Sequence, residues 1–295
     1  MVWPSLGPPF FLRPFSHFPF LSPFSLFPIL LRLYLSLTNT LAPRLGGIVV
    51  AYIFTAPRRH SRPQWEQELI ANGRVHTLAG RLYATEWGPA EGKPVILLHG
   101  WEGRGAQLGY FVEPLVAKGH RVIAVDGPAH GESPGKRTSP FDFAKALLEI
   151  DREVGPLHAV VGHSMGGAAS TIALGNGLRT DALVLLGAPS DLSEVIDRFG
   201  DWLAIPSRVR VAFRANLARR TGLPVSAARL LDIAHQFPTL PVLVIHDPAD
   251  AEVPVSDGRR AAEAFPNATY HEMDAGGHRR MLKNPEVARL IVEFL

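Results

Sequence analysis

Cysteine is absent from the 295 residues. That removes disulfides, thiolate metal sites and cysteine nucleophiles together, and with them any inference about redox compartment. Carboxylates are missing from the first 65 positions, where six arginines (Arg13, Arg32, Arg44, Arg58, Arg59, Arg62) precede Glu66. The whole chain holds 30 basic and 27 acidic residues, so the part after the arm is mildly acidic. No groove of clustered Lys and Arg is legible there, and nucleic acid is not an expected partner. No apolar run reaches membrane-spanning length either. Pro14, Pro19, Pro23 and Pro28 interrupt one candidate, and Arg32 and Arg44 interrupt the next. No positive residue precedes Arg13 and no clean small-residue cleavage site follows, so the marks of a secretory signal are not there. His, Asp and Glu show no ligand spacing for a metal, and no cofactor is expected.

What is there divides into an arm and a body. Residues 1–28 hold seven prolines and seven phenylalanines, a density that predicts no regular structure. Their composition matches nothing after them, as expected of a segment upstream of a true start. Residues 29–56 are apolar with sparse arginines. Two readings stand for them: a helical pair packed on the body, or a segment lying on a membrane with its arginines at the headgroups. Residues 1–65 are thus set apart from a domain over 66–295. The chain reads as cytoplasmic, with peripheral membrane contact through residues 1–60 left open.

From about Val75 the texture alternates. "VHTLAGRLYATEWG" reads as a strand pair. "PVILLHG", "RVIAVDG", "HAVVGHS", "DALVLLGAP", "PVLVIHD" and "ATYHEMD" read as strands, with helical stretches between them. Short unbroken apolar strands separated by helices predict a mostly parallel sheet covered on both faces. Function then gathers at the carboxyl ends of the strands.

Ser164, in "VVGHSMGGAAS", falls at such an end. The pattern G-x-S-x-G is weak in a chain with 27 glycines, but strand before and helix after make it a sharp turn presenting a nucleophile. A serine needs a base. His278, in "DAGGHRRM", follows the last strand and lies on the same rim. For the carboxylate that orients it, "HDPADAEVP" offers Asp247, Asp250 and Glu252. Asp250 is favoured because it lies three residues past the strand end, Asp247 is expected to brace the turn, and Asp191 is the reserve. The backbone N–H groups of Trp101 and Met165 are the expected oxyanion donors. About 49 residues from Asp191 to Pro241 predict a helical cap near 192–240. Its Phe199, Trp202 and Phe213, with Trp101 and His163 beside the serine, are the candidate pocket lining. Arg208, Arg210, Arg214, Arg219 and Arg220 are expected to form a solvated face.

"LLHGWEGRG", "VDGPAHGES", "GHSMGG", "HDPADAEVP" and "GGHRRM" are similar, in order, to five landmarks of the α/β-hydrolase superfamily, over about residues 74–295. The resemblance implies an eight-stranded, mostly parallel sheet with helices on both faces and a short helical cap. It implies the chain order Ser164, Asp250, His278, with oxyanion donors at Trp101 and Met165. A serine at 164 argues against the branches with an aspartate nucleophile, haloalkane dehalogenases and epoxide hydrolases. Asp126 matches a loop that is structural in the family. The expected activity is hydrolysis of a small carboxylic ester or thioester through an acyl-enzyme. An acyltransferase on the same residues and a non-catalytic ligand-binding protein are the alternatives.

Overall fold

Five sheet segments, residues 95–98, 122–125, 159–161, 183–186 and 242–245, are buried at every position, which demands cover on both faces. Alternate side chains of a strand point to opposite faces, and the alternation sorts these residues into two cores. Ile96, Leu98, Ile123, Val160, Leu183 and Val244 pack under one set of helices. Val95, Leu97, Val122, Val161, Val184 and Ile245 pack under the other. Truncating one such side chain to alanine typically costs about 2–5 kcal/mol.

A computed structural model describes residues 26–222 and 230–295. Its strands are β1 (Arg74–Leu78), β2 (Leu82–Trp87), β3 (Pro94–Leu98), β4 (Arg121–Val125), β5 (Leu157–His163), β6 (Thr180–Leu186), β7 (Val242–His246) and β8 (Ala268–Glu272). They form one sheet in the order β1-β2-β4-β3-β5-β6-β7-β8. β2 runs antiparallel to both neighbours, and every other pairing is parallel. The chain leaves β3 for β4 on one side and returns to β5 on the other. The loops after β3 and β5 therefore diverge, opening the crevice in which α/β sheets bind ligands.

The helices in chain order are α1 (Leu26–Leu41), α2 (Pro43–Thr55), α3 (Gln64–Ala71), α4 (Val112–Ala117), α5 (Pro140–Val154), α6 (Met165–Leu174), α7 (Leu192–Trp202), α8 (Ser207–Thr221), α9 (Leu230–Ala234), α10 (Val255–Ala264) and α11 (Pro285–Phe294). α5 and α6 cover one face of the sheet, α4 and α11 the other.

Residues 29–56 form a helical pair packed on the body. α1 and α2 share a third core with α7 and α8, including Leu35, Val50, Ile196, Phe199, Val209 and Phe213. Glycine makes this contact possible: a Cβ on Gly47 would lie 2.6 Å from the Ala212 backbone carbonyl carbon. Gly46 and Gly47 are the surface by which α2 reaches α8. Helix α1 begins at Leu26, so irregular structure does not extend through residue 28. Pro28 falls in the first turn, where no backbone donor is required. The rest of that expectation, over residues 1–25, lies outside the described residues. So do residues 223–229 of the expected cap. α9, at its far end, places Leu230 and Ala234 in the body core, leaving α7 and α8 as the helices over the crevice. Among the described residues no helix is long and apolar enough to cross a membrane.

Candidate active site

Ser164 is held between β5 and α6 at φ +52°, ψ −120°, a left-handed backbone that costs a side-chain-bearing residue about 1–3 kcal/mol. The surroundings over-determine it. Its N–H donates to Leu186 O at 2.9 Å, and its carbonyl accepts from the N–H groups of Gly167 and Ala168. Strand and helix meet so closely that a Cβ on Gly166 would stand 2.2 Å from Leu98 O, and one on Gly162 would stand 2.6 Å from the Gly167 Cα. The glycines are there because backbone occupies the space a side chain would need.

His278 lies in the loop after β8. Its Nδ1 is 2.6 Å from Asp250 Oδ2, with both side chains buried. A carboxylate only accepts, so Nδ1 donates and Nε2 is left able to accept a proton. Asp250 is fixed in turn by the N–H groups of Glu252 and Val253, both 2.8 Å from Oδ1. Asp247 braces the two loops together: its carboxylate accepts from Ala249 N–H within the acid loop, and from Ala275 N–H at 2.7 Å and Gly277 N–H at 2.6 Å in the histidine loop. Glu252 stands on the other side of the ring, 4.0 Å from Nε2. Asp191 is not part of the group and caps α7 through Ser193 N–H. Ser164 and His278 border the same cavity, although among the described residues no hydrogen bond joins the hydroxyl to the ring.

Trp101 and Met165, the two expected donors, both border the cavity. Among the described residues neither Trp101 N–H, after β3, nor Met165 N–H, at the start of α6, has a hydrogen-bond partner. The Trp101 loop is held by groups that sequence reading missed. His130 Nε2 accepts the Glu102 N–H at 3.0 Å, and His99 Nε2 accepts the Gly127 N–H at 2.9 Å. From the arm, the Arg58 guanidinium bonds both Glu102 oxygens at 3.0 Å, and its N–H bonds Oε1 at 3.2 Å. Burial pushes the Glu102 carboxyl up, but the Arg58 bonds and charge outweigh it and hold the group below the ordinary carboxylate value. Arg59 donates to the carbonyls of Gly131 and Ser133, and Arg62 pairs with Asp126 at 2.6 Å. Three arginines that looked like a charged arm thus strap it to the body. Arg58→Ala should lower unfolding free energy by about 1–3 kcal/mol, since it leaves a mostly buried carboxylate without its cation. Urea titration checks this, and adding Glu102→Gln should recover part of the loss.

The crevice encloses about 410 Å³. Of the expected lining residues, Trp101, His163 and Phe199 border it. Trp202 and Phe213 do not. Phe213 is fully buried in the α1–α2–α7–α8 core against Phe54 and Phe199, and Trp202 packs at the edge of that core. Their places are taken by Ile53 and Phe54 of α2, Phe141, Val195 and Leu217. The arm therefore roofs the cavity, which no feature of its sequence signals. His163 is turned away from catalytic contact: its Nε2 donates to His278 O at 2.9 Å. On the cap, Arg210 pairs with Asp201, Arg214 with Asp197 and Arg220 with Asp142, so much of the expected solvated face is ion-paired. Among the described residues no three His, Cys, Asp or Glu side chains gather as metal ligands would.

A family model described as alpha/beta hydrolase fold matches residues 93–233, the span that carries the β3 loop, the Ser164 turn and most of the cap. The chain has the α/β-hydrolase fold and is similar to proteins of that fold. It is 29% identical over 252 residues to a putative carbamate hydrolase of Variovorax paradoxus, covering 70% of this chain and 93% of that one. It is 36% identical over 114 residues to a serine hydrolase-like protein of Danio rerio; that match spans 37% of this chain and 35% of the relative. A bromoperoxidase of Bacillus anthracis superposes with a TM-score of 0.55 at 24% identity, covering 72% of this chain and 94% of that structure. At that identity the likeness speaks for the fold.

The histidines beside the site make the body acid-sensitive. Burial lowers His99 to about 4, and burial with the neighbouring His99 lowers His130 to about 3; burial also holds His163 well down. Folded, these rings stay neutral, whereas an unfolded histidine titrates near 6.5. Unfolding therefore takes up protons once the pH drops below about 6.5, and stability falls with pH from there toward 4. The expected slope is about 1.4 kcal/mol per pH unit for each ring. Urea unfolding at several pH values checks it. His130→Gln, which keeps an acceptor for the Glu102 N–H, should show a shallower slope.

Proposed function

We propose that the protein hydrolyses carboxylic esters through an acyl-enzyme formed on Ser164. The observation that carries this reading is the strained Ser164 turn bordering the same cavity as a buried His278–Asp250 pair in which His278 Nε2 is free to accept. Ser164 Oγ attacks the ester carbonyl carbon while His278 Nε2 takes its proton. Asp250 holds the imidazole and balances the charge it gains. The carbonyl oxygen, now negative, is met by the N–H groups of Trp101 and Met165. Collapse expels the alcohol, which leaves with the proton from His278, and water repeats the sequence to release the acid. Hydroxyl and ring need to close to hydrogen-bond reach only in the substrate complex, as such contacts commonly do.

The walls favour a modest apolar acyl or alkyl group, with Phe54, Phe141, Ile196 and Phe199 around the serine. The likeness to a putative carbamate hydrolase extends the class to carbamates, whose carbonyl presents the same electrophile. A fluorophosphonate probe tests the reading. One phosphonyl group should attach at Ser164, found by intact mass and peptide mapping, with hydrolysis of a short p-nitrophenyl ester lost in step. Native protein that stays unlabelled and inert toward a panel of esters, thioesters and carbamates would overturn it.

A further inference from the structure

The surface of the α1–α2 pair is unlike the rest of the molecule. Nine of the twelve large apolar side chains that stand exposed among the described residues lie on these two helices. Leu31 and Leu35 turn inward on α1, and Gly46, Gly47, Val50 and Ala51 on α2. The opposite stripe carries Leu33, Leu37 and Leu41 on α1 and Leu45, Ile48 and Tyr52 on α2, at intervals of three and four that keep them on one side of each helix. Leu33 is 62% and Leu41 73% exposed. Exposed apolar surface of that extent marks a contact.

Charge says what kind of contact. Neither helix holds a carboxylate, while Arg32 and Arg44 stand exposed on them. Arg208 N–H donates to Asn39 Oδ1, which brings a third exposed arginine alongside α1. On α7, Asp201 is paired with Arg210 at 2.7 Å and Asp197 with Arg214. Apolar side chains rimmed by arginine, without acid, fit an interface of hydrocarbon and anionic headgroups. The helices are too short to cross a bilayer and long enough to lie on one.

We infer that the outer face of α1 and α2 docks the protein on an anionic membrane surface, its leucines in the acyl boundary and its arginines at the phosphates. α2 then links the membrane to the cavity, since Ile53, Phe54 and Thr55 at its end line the cavity that Ser164 borders. The inference stands apart from the proposed chemistry, and fluorophosphonate labelling tests that chemistry without vesicles.

The test is sedimentation of the full chain with vesicles of phosphatidylcholine alone and with about one-third phosphatidylglycerol. Binding should be several-fold stronger on the anionic vesicles and weaken with salt. The full chain carrying Leu33→Glu, Leu37→Glu and Ile48→Glu should bind at least about tenfold more weakly, with unchanged circular dichroism and melting temperature. Val75→Glu, at an exposed apolar position elsewhere, should bind as the parent does. Three results would overturn the inference: no binding to either vesicle, equal binding by the triple variant, or a parent that is a dimer in light scattering and becomes monomeric in that variant. A sharp fall in its melting temperature would overturn it too, because the face would then be covered by the chain's own residues.

Discussion

Ser164→Gly is expected to stabilise the fold and to end ester turnover in one step. Residue 164 sits at φ +52°, ψ −120°, where a Cβ is costly and glycine is at ease. The strain relieved is about 1–3 kcal/mol, and glycine's extra freedom in the unfolded chain returns about 0.4–1 kcal/mol of it. A net gain of about 1 kcal/mol remains. Turnover should fall by about a millionfold, the scale on which losing an activated nucleophile is felt. Ser164→Ala separates the two effects. It removes the hydroxyl but keeps the Cβ, so it should match the glycine variant in activity and the parent in urea unfolding. Equal stability of the two variants would mean that the turn stores no strain, and parent-level turnover in either would remove Ser164 from the chemistry.

The elements legible in the sequence are those in which one local rule governs. Strands buried on both faces have to be runs such as Val95-Ile96-Leu97-Leu98, and the doubly covered parallel sheet follows from them. Gly162, Gly166 and Gly167 around Ser164 mark a close strand–helix approach before any coordinates exist. Asp250 could be preferred over Asp247 by distance from the strand end alone; in the structure Asp250 meets the His278 ring, while Asp247 ties the loops. What stayed hidden depends on residues far apart in the chain. Arg58 and Glu102 are 44 positions apart, and nothing local to either names the other, so a strap was legible only as a basic arm. Phe213 and Phe199 carry the same aromatic signal, yet one lies fully beneath α2 and the other reaches the cavity. Composition does not encode which helix lies on top.

Asp250→Asn gives the second large effect, and its logic runs through a single proton. Asparagine has nearly the shape of aspartate, and its oxygen can still accept from the N–H groups of Glu252 and Val253 that now bond Oδ1. The atom facing His278 Nδ1 then becomes an amide nitrogen, which donates where Oδ2 accepted at 2.6 Å. The ring answers by moving its proton to Nε2, leaving Nδ1 to accept. An imidazole protonated at Nε2 cannot take the proton of Ser164, and no carboxylate remains to balance an imidazolium. Turnover should fall by about ten-thousandfold, with little change in substrate affinity. Folding should be nearly intact, since the number of hydrogen bonds is kept. The pH profile tells this from a merely structural role: raising the pH should recover little activity, because the fault is the tautomer and not the charge state. Asp191→Asn, at the carboxylate that caps α7 instead, should leave turnover within about a factor of two while removing part of a cap worth about 1 kcal/mol. Were the two substitutions to lower turnover equally, Asp250 would have no special tie to the ring, and the relay from hydroxyl to carboxylate would have to be abandoned.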